Sequence, residues 1–428
     1  MEPAVRSRYL PKTSIKGHSQ PHAIVLTGAL LGCVCLLESV HAQETTRPII
    51  LAHYMPWYEA KPAGNRWGWH WTMDHFDPAQ RTQGRREVAS KYYPLIGPYD
   101  SGDADVLEFH LLTMYAAGID GVIVDWYGLT GFRDYGLLHR NTTSVLQMCE
   151  RLRMKFVICY EDQTVPALVA GSRLASADRV SHATKEINWL SKHWFRSPSY
   201  VRFNKRPVLL SFGHAGLNDD EWRQCLERLD VPVRYYSQDY RRPGATGGFA
   251  WPVPQQGLEH TRRFLERSSE WPDAIPVAYP RFDDVYAQGK VNDGYPEIPD
   301  GEGETFRWTL DQALRANPRI IQIATWNDWG EGTQIEPSLE FGYRDLAHLR
   351  SRLSNQGVTS NVALQLPLWL YRYRKSAGGD LAIANAIADQ IRNEELENAR
   401  DRLSELGFAG TKKQEPRIPP QPNNQFQP

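Results

Sequence analysis

Near its C-terminal third the chain reads Ile320-Ile321-Gln322-Ile323-Ala324-Thr325-Trp326-Asn327-Asp328-Trp329-Gly330-Glu331. The run at 320–324 predicts a buried strand, because it is short, mostly apolar and rich in isoleucine. Two acids, Asp328 and Glu331, follow three positions apart, flanked by Trp326 and Trp329. The stretch therefore predicts a strand that ends in a loop carrying two carboxyl groups between indole rings.

Seven further apolar runs precede this one, and helix-compatible stretches separate most of them. Continuous apolar runs, without regular polar alternation, are typical of a parallel sheet covered on both faces. Eight strand–helix units over roughly 300 residues predict an α/β fold, a (β/α)8 TIM barrel. The predicted strands are 49–54, 121–126, 156–160, 207–212, 233–236, 248–251, 275–279 and 320–326, and the predicted helices are 105–117, 137–152, 176–194, 221–229 and 306–316.

Two connections are unusual. Residues 241–247, between the fifth and sixth strands, are too few for a helix and are predicted as a loop. The first connection, 59–103, is long and aromatic, with Trp67, Trp69 and Trp71 close together. An insertion after a barrel strand lies on the face where barrel active sites are built, so we expect it to form part of a binding cleft.

Polar and aromatic residues follow every predicted strand. Asp125 and Trp126 end the second strand, Glu161 follows the third, and Asp283 and Asp284 follow the seventh. A parallel barrel gathers the carboxyl ends of its strands at one mouth. We therefore expect these side chains to meet at the mouth with the two acids of the last strand.

Residues 1–42 are predicted to be a secretory signal peptide. Basic residues precede an apolar segment at 23–37, and Val40-His41-Ala42 fits a cleavage site. We therefore expect an exported protein, periplasmic or extracellular, although Leu30-Leu31-Gly32-Cys33 also resembles a bacterial lipoprotein signal with Cys33 as the lipidated residue. No other segment is long and apolar enough to predict a membrane span.

The predicted organisation after the signal peptide has three parts. A catalytic barrel occupies 47–355, a C-terminal helical extension occupies 356–410, and a disordered tail occupies 411–428. In the extension, 362–370 is mostly apolar and 381–406 is predicted as one charged amphipathic helix, and both are expected to pack outside the barrel. The tail is rich in Pro, Gln and Asn, a composition typical of disorder.

The composition limits the classes of ligand and partner that the sequence predicts. A formal net charge of −1 gives no electrostatic reason to expect a nucleic acid or an anionic membrane surface. Fourteen Trp and 20 Tyr favour a carbohydrate ligand. Cys149, Cys159 and Cys225, the cysteines outside the signal, make no disulfide framework. His53, His70 and His75 lack the spacing of a recognised metal site, so no metal or cofactor is predicted. For the oligomeric state, a monomer is favoured.

Asp328 and Glu331 have the residue types needed for acid–base chemistry. Desolvation by neighbouring aromatic rings and repulsion between like charges raise the pKa of one carboxyl group, while the other stays ionised. A proton donor beside an ionised carboxylate is the arrangement that hydrolyses glycosidic bonds. The two acids are therefore the predicted catalytic pair.

Three segments together resemble the glycoside hydrolase family 71/99 group. They are His53-Tyr54-Met55-Pro56-Trp57-Tyr58, Arg281-Phe282-Asp283-Asp284 and Trp326-Asn327-Asp328-Trp329-Gly330-Glu331-Gly332-Thr333-Gln334-Ile335-Glu336. The resemblance covers 47–343 and is nearest to the family 99 endo-α-1,2-mannosidases. It implies a (β/α)8 barrel, no metal, and retention of anomeric configuration. By analogy Glu331 is the general acid/base, and the earlier acid is a base on the sugar 2-hydroxyl that gives a 1,2-anhydro sugar.

One position departs from the family pattern. Family 99 has Glu as the first acid of the motif, whereas this chain has Asp328, which is one methylene shorter. A base must come within about 2.6–3.2 Å of its proton, so the shorter side chain needs a moved backbone or another base. The Asp-x-x-Glu pattern is closer to that of family 71, whose members resemble α-1,3-glucanases.

The residues predicted to bind substrate come from the strand ends and the three motifs. They are Tyr54, Trp57, Tyr58, Trp69, Asp125, Trp126, Glu161, Tyr279, Asp283, Asp284, Trp326, Asn327, Trp329 and Glu336. The expected function is an exported glycoside hydrolase that cleaves an α-linked, α-mannan-like polysaccharide or oligosaccharide, endo-acting and retaining. Three alternatives stay open: an α-1,3-glucanase-like hydrolase, a non-catalytic carbohydrate-binding barrel, and an enzyme that modifies bacterial cell-surface glycans.

Overall fold

The computed structural model describes residues 47–353 and 362–409. Parallel strands pair in chain order, and the first strand also pairs with the last. The predicted (β/α)8 barrel is confirmed, and each predicted strand is present. The barrel strands are β1 Ile49–Tyr54, β2 Gly121–Trp126, β3 Lys155–Tyr160, β4 Arg206–Ser211, β5 Arg234–Gln238, β6 Gly247–Phe249, β7 Asp273–Ile275, β8 Val277–Ala278 and β9 Ile320–Ile323.

The seventh position of the barrel is divided between β7 and β8 by Pro276. β7 pairs with β6, and β8 pairs with β9. Proline has no N–H group to donate to a ladder, which interrupts the strand. Its carbonyl still accepts the backbone N–H of Gln322 at 3.0 Å. The two short strands therefore act as one position and complete the eightfold ring.

The barrel strands are buried on both faces, since alternate side chains point into the barrel and towards the helices. Leu51 and Ile123 belong to a cluster in the barrel interior. Ile50 and Val122, one position earlier, pack in the layer between strands and helices. This double burial explains the continuous apolar runs. It also decides which of two consecutive residues at a strand end faces the mouth.

Helices follow most strands and cover the outside of the barrel. Asp103 accepts a hydrogen bond from the backbone of Asp105 at the start of the first helix, and Asn218 forms a capping box with Glu221 at the start of the fourth. The helices are α1 Ala104–Ala117, α2 Tyr135–Arg151, α3 Arg179–Lys192, α4 Asp219–Glu227, α5 Leu258–Ser268 and α6 Glu304–Arg315, with short helical segments at Trp69–Thr72, Thr164–Ala170, Ser176–Asp178 and Gly301–Gly303.

Three segments test the predicted secondary structure. The segment 241–247 contains no helix, as predicted. α5 was not predicted, because its sequence is strongly charged and buries only a narrow apolar stripe around Phe264. The predicted single helix 381–406 is wrong. It is two helices, α9 Leu381–Arg392 and α10 Leu396–Glu405, separated at Glu394, whose φ of 63° cannot continue a right-handed helix.

The long first connection packs against the loop that follows β9. It contains a short hairpin, Arg81–Thr82 with Arg85–Arg86. Trp71 is fully buried there, and its indole N–H donates to the Tyr99 carbonyl at 2.8 Å. The Leu95 N–H donates to the Pro337 carbonyl at 2.9 Å. The insertion is therefore an ordered part of the face at the carboxyl ends of the strands.

The C-terminal helices lie on the outside of the barrel, as predicted. They are α7 Arg344–Leu353, α8 Val362–Lys375, α9 and α10. Arg374 of α8 donates to Glu108 of α1, with Nη2 and Oε1 2.9 Å apart. None of the helices in 47–353 and 362–409 has the length and apolar character needed to cross a membrane.

Several sequence predictions fall on segments outside the described residues. These are the signal peptide 1–42 with its Cys33 alternative, the domain boundary at 355/356, and the tail 411–428. They stay predictions. Within the described ranges, Cys149, Cys159 and Cys225 are buried and free.

Candidate active site

The segment 325–336, which we call the acid loop, folds back on itself at the carboxyl end of β9. The Ile335 N–H donates to the Thr325 carbonyl at 3.0 Å, and the Glu336 N–H donates to the Trp326 carbonyl at 2.9 Å. At the base of the loop the Trp326 N–H donates to the His53 carbonyl at 2.7 Å. The loop is thus fixed to the end of β1, with both predicted catalytic acids between its two ends.

Asp328 is buried at the mouth and held by its own loop. Its residue is 5% exposed, and its Oδ1 accepts the Glu331 N–H at 3.1 Å. Burial raises the pKa of this carboxyl group to about 6, against the opposing effect of backbone N–H groups from Glu331 and Gly330. Asp328 is therefore ionised at neutral pH.

Glu331 is more open and has a different electrostatic setting. It is partly exposed, and its Oε1 accepts the Tyr286 hydroxyl at 3.1 Å. Desolvation, followed by the negative charge of Asp328, raises the pKa of Glu331 well above its ordinary value. One loop thus presents an ionised carboxylate and a carboxyl group that retains its proton, the division of roles that acid–base catalysis requires.

A second pair of acids, Asp125 and Glu161, lies beside the first. Both are 2% exposed, and their carboxyl groups hydrogen bond to each other. Desolvation and the charge of Asp125 raise the pKa of Glu161 well above its usual range, so Glu161 holds the shared proton. Its Oε2 accepts the exposed Gln163 amide at 2.7 Å. The structure therefore brings together four of the six acids that the sequence predicted for the mouth.

His53 joins this cluster from β1. Its Nε2 is 2.8 Å from Asp125 Oδ1, and its Nδ1 is 3.3 Å from Gln322 Oε1. Burial lowers the pKa of His53 to about 4, so the ring is neutral at neutral pH. The Gln322 amide nitrogen donates to the Ala250 carbonyl, which turns its oxygen towards the ring. A neutral ring has one N–H group, and burial raises the pKa of Asp125 to about 7, so His53 and Asp125 share one proton near neutral pH.

Among the described residues one group has ligand atoms close enough to hold a metal ion. It consists of His53, Asp125 and Cys159, with atoms within 4.8 Å of one another. Its nitrogen and oxygen atoms already hydrogen bond to each other. Burial also raises the pKa of the Cys159 thiol well above its ordinary value, whereas a metal binds the thiolate. The donor set therefore fits a hydrogen-bonded cluster better than a metal site, and we assign none.

Aromatic residues of the first connection lie beside the acid loop. The rings of Trp57 and His70 are stacked at 4.1 Å, and Trp69 meets His70 edge-on at 5.0 Å. Trp69 is 41% exposed. The Tyr58 hydroxyl donates to the Asn327 carbonyl and accepts the Trp329 N–H, so Tyr58 supports the acid loop from beneath.

Five predicted substrate-binding residues are not brought to the mouth. Their side chains are fully or almost fully buried, and their hydrogen bonds or ring contacts are with outer-layer or supporting residues. Strand alternation explains two of them: His53 and Asp125 point inward, so Tyr54 and Trp126 point outward. The five residues and their partners are Tyr54 with His110, Trp126 with His139, Tyr279 with Thr261, Trp326 with His110, and Glu336 with His110 and Tyr99.

Four other predicted residues shape the loops around the acids. The Asn327 amide bonds to both backbone groups of Met55. Trp329 is fully buried, with its indole N–H on Glu336. Asp283 pairs with Lys91 and accepts the Tyr92 hydroxyl, and Asp284 accepts two backbone N–H groups of its own loop.

Sequence reasoning missed three residues of the mouth as site residues. They are Tyr286, which bonds to Glu331, His53, which bonds to Asp125, and Tyr127, whose pKa is raised by burial and by the charges of Glu161 and Asp125. Tyr127 follows Asp125 by two positions, so strand periodicity could have found it. Nothing in the sequence marks Tyr286, because a loop brings it to Glu331.

The chain is similar to named glycosidases. It is 34% identical over 343 residues to a glycoprotein endo-α-1,2-mannosidase-like protein of Mus musculus, covering 67% of this chain and 69% of the relative. A Homo sapiens protein of the same name is 33% identical over 343 residues, with coverage of 67% and 68%. The glycoprotein endo-α-1,2-mannosidase of Mus musculus is 22% identical over 335 residues, with 67% of each chain covered. Each match spans about two thirds of the relative.

A solved structure has the same fold. The family 99 endo-α-mannosidase of Bacteroides thetaiotaomicron superposes with a TM-score of 0.54 at 15% identity, over 77% of this chain and 99% of that one. No protein-family model matches the chain.

Fold and site together define a (β/α)8 barrel with paired acids at its mouth. The chain belongs to the family of the endo-α-1,2-mannosidase-like proteins, within the glycoside hydrolase family 99 group. The predicted resemblance is confirmed, and the predicted class of enzyme, a glycosidase, is confirmed at the level of this family.

Proposed function

We propose that this chain is an exported endo-acting glycosidase that cleaves α-mannosidic bonds in a mannan-type polysaccharide or oligosaccharide with retention of configuration. The observation that carries the proposal is the pair Asp328 and Glu331, whose surroundings drive their pKa values apart within one loop. The named activity of the relatives supports the choice of an α-mannoside.

Glu331 is the general acid in this proposal. It retains a proton at neutral pH, is partly exposed, and can deliver the proton to the oxygen of the leaving sugar. Once that proton has gone, the Tyr286 hydroxyl stabilises the carboxylate by donating to it at 3.1 Å. Glu331 can then accept a proton from the water that completes hydrolysis.

Asp328 is the base in this proposal. By analogy with family 99 it takes the proton of the sugar 2-hydroxyl while that oxygen closes onto the anomeric carbon and the leaving oxygen takes the proton of Glu331. Water then opens the resulting 1,2-anhydro sugar, so that two inversions give net retention. Because backbone N–H groups hold Asp328 close to its own loop, Asp125, whose pKa is raised in part by the charge of Asp328, is the candidate to assist it.

The test is a panel of α-mannans and α-1,3-glucans incubated with the full chain. We expect oligosaccharide products from the mannans, measured by mass, whose new reducing ends first appear as the α-anomer by NMR. Products from α-1,3-glucan alone would overturn the substrate, and binding without any product would favour a non-catalytic barrel.

A matched pair of variants assigns the acid. Glu331→Gln should lower the rate of product formation by about 10²–10⁴-fold, whereas Glu259→Gln, at an exposed position of α5, should leave it unchanged. Near-normal turnover by Glu331→Gln would remove Glu331 from the mechanism.

A further inference from the structure

The segment 283–298, which we call the tyrosine loop, follows β8 and is fixed to the acid loop. The N–H groups of Phe282 and Ile298 donate to each other's carbonyls at 3.0 and 2.9 Å, which closes the base of the loop. The Asp283 N–H donates to the Glu331 carbonyl at 2.8 Å, and the Val285 N–H donates to the Gly330 carbonyl at 3.0 Å. The tyrosine loop therefore has a defined position relative to the proposed general acid.

Asp284 holds the two ends of this loop together. One carboxyl oxygen accepts the Tyr286 N–H at 2.8 Å, and the other accepts the Tyr295 N–H at 2.9 Å. The rings of Tyr286 and Tyr295 meet edge to face, with centroids 6.0 Å apart. Asp284 thus sets the position of both rings through the backbone, without facing a ligand itself.

Tyr286 and Tyr295 extend in order from the catalytic pair towards the surface. The Tyr286 hydroxyl bonds to Glu331, and Tyr295 lies one ring further out with 46% of its surface exposed. Val291 of the same loop is 41% exposed. Apolar and aromatic surface left in water beside a catalytic group is typical of a ligand-binding surface, because a ligand can cover it.

Barrel order places this surface on one flank of the acid loop. The acid loop follows the eighth position of the barrel, between the loops of the seventh and first positions. The tyrosine loop follows the seventh, and the stack of Trp57 on His70 follows the first. A sugar chain bound at Glu331 therefore has an aromatic wall available on either side.

We propose that Tyr295 is the wall of a sugar-binding subsite next to the catalytic pair, which takes a hexose unit beyond the bond that is cut. The ring face of tyrosine covers the apolar face of a pyranose, and the edge contact with Tyr286 keeps that face upright. Asp284 is the positioning residue of the subsite. This inference rests on the proposed roles of Asp328 and Glu331.

The test measures binding in the full chain carrying Glu331→Gln, so that ligand is not consumed. Dissociation constants for α-mannooligosaccharides of increasing length are compared by calorimetry with and without Tyr295→Ala. We expect the alanine variant to lose about 5–20-fold in affinity for the longer ligands and almost nothing for a disaccharide. Tyr295→Phe keeps the ring and should keep the affinity.

Two controls make the outcome decisive. Leu381→Ala removes an apolar side chain that is 70% exposed on the helical extension, and it should not change affinity at any length. In the active enzyme, Asp284→Asn should raise KM for long substrates and, because Asp284 also positions Tyr286 beside Glu331, lower kcat on short ones.

Equal affinities of Tyr295→Ala and Tyr295→Phe at every ligand length would overturn the subsite. Cleavage of ligand by the Glu331→Gln variant at a near-normal rate would instead overturn the proposed general acid, and KM measurements in otherwise unmodified enzyme would still report on Tyr295.

Discussion

Glu331 and Glu336 stand in the same loop and have the same side chain, yet their surroundings are opposite. Glu336 is 2% exposed, and its carboxyl oxygens contact the Tyr99 hydroxyl at 2.7 Å, the Trp329 indole at 3.2 Å and His110 at 3.1 Å. Glu331 is partly exposed and accepts one side-chain hydrogen bond, from Tyr286. A carboxyl group surrounded by fixed partners supports the fold, whereas one with few partners is available for a proton transfer.

The same contrast holds for the mouth and the outer layer as wholes. The mouth concentrates four acids and a neutral histidine, whose burial and mutual repulsion the fold tolerates at some cost in stability. In the outer layer, Tyr54 bonds to His110 and Trp126 bonds to His139. Acidic groups with raised pKa values are therefore concentrated at the mouth, where the proposed chemistry takes place.

The largest expected difference between Glu331 and Glu336 is in the catalytic rate. Replacing Glu331 with Gln removes the proton donor and should lower kcat by about 10²–10⁴-fold, since general acid catalysis contributes that much. Glu336→Gln should leave the kcat of the folded fraction within a few-fold of normal. Steady-state kinetics on an α-mannooligosaccharide measures both, and equal losses in the two variants would show that the contrast is wrong.

The pH dependence sharpens the roles within the mouth. Asp328 must be ionised and Glu331 protonated, so the rate should rise with pH through about 6 and fall again at the raised pKa of Glu331. Below the first midpoint the rate should fall about tenfold per pH unit, as one essential group is protonated. A profile of kcat/KM tests this, and an acid midpoint near the ordinary aspartate value of about 3.9 would contradict the buried setting of Asp328.

Stability should show the reverse order of the two glutamates. Glu336→Gln places an amide donor against the donors of Tyr99 and Trp329, which should cost about 2–3 kcal/mol of unfolding free energy. Glu331→Gln replaces a carboxyl group that is protonated at neutral pH by an uncharged amide of similar size, so it should not lower the melting temperature. Thermal unfolding at neutral pH measures both. If Glu336→Gln unfolds at the wild-type temperature, its network is not structural.

The smallest effect is expected in the outer layer. Tyr54→Phe removes the hydroxyl that contacts His110 at 3.1 Å and should cost about 1 kcal/mol of stability, with kcat/KM unchanged. Denaturant unfolding and kinetics on the same preparation separate the two quantities. A clear loss of kcat/KM without loss of stability would place Tyr54 back in the substrate site.

Much of the fold could be read from the chain, because its signals are local. Most barrel strands lie in apolar runs, and the crossover at 241–247 is too short for a helix. The elements that the sequence did not predict correctly also have physical explanations. α5 hides its buried face in a charged sequence, and the break at Glu394 depends on one backbone angle that composition does not mark.

The site could be predicted less completely from the sequence, since several of its contacts join residues that are far apart in the chain. The sequence itself determined the barrel, the pair Asp328 and Glu331, and the acids Asp125 and Glu161 at strand ends, because these follow from periodicity and from parallel strand direction. Only the tertiary structure decided that Tyr54 and Trp126 face the helices, that Glu336 is fully bonded, and that Tyr286 reaches Glu331. Burial and partners set the pKa and the role of a carboxyl group, and both are properties of neighbours far away in the chain.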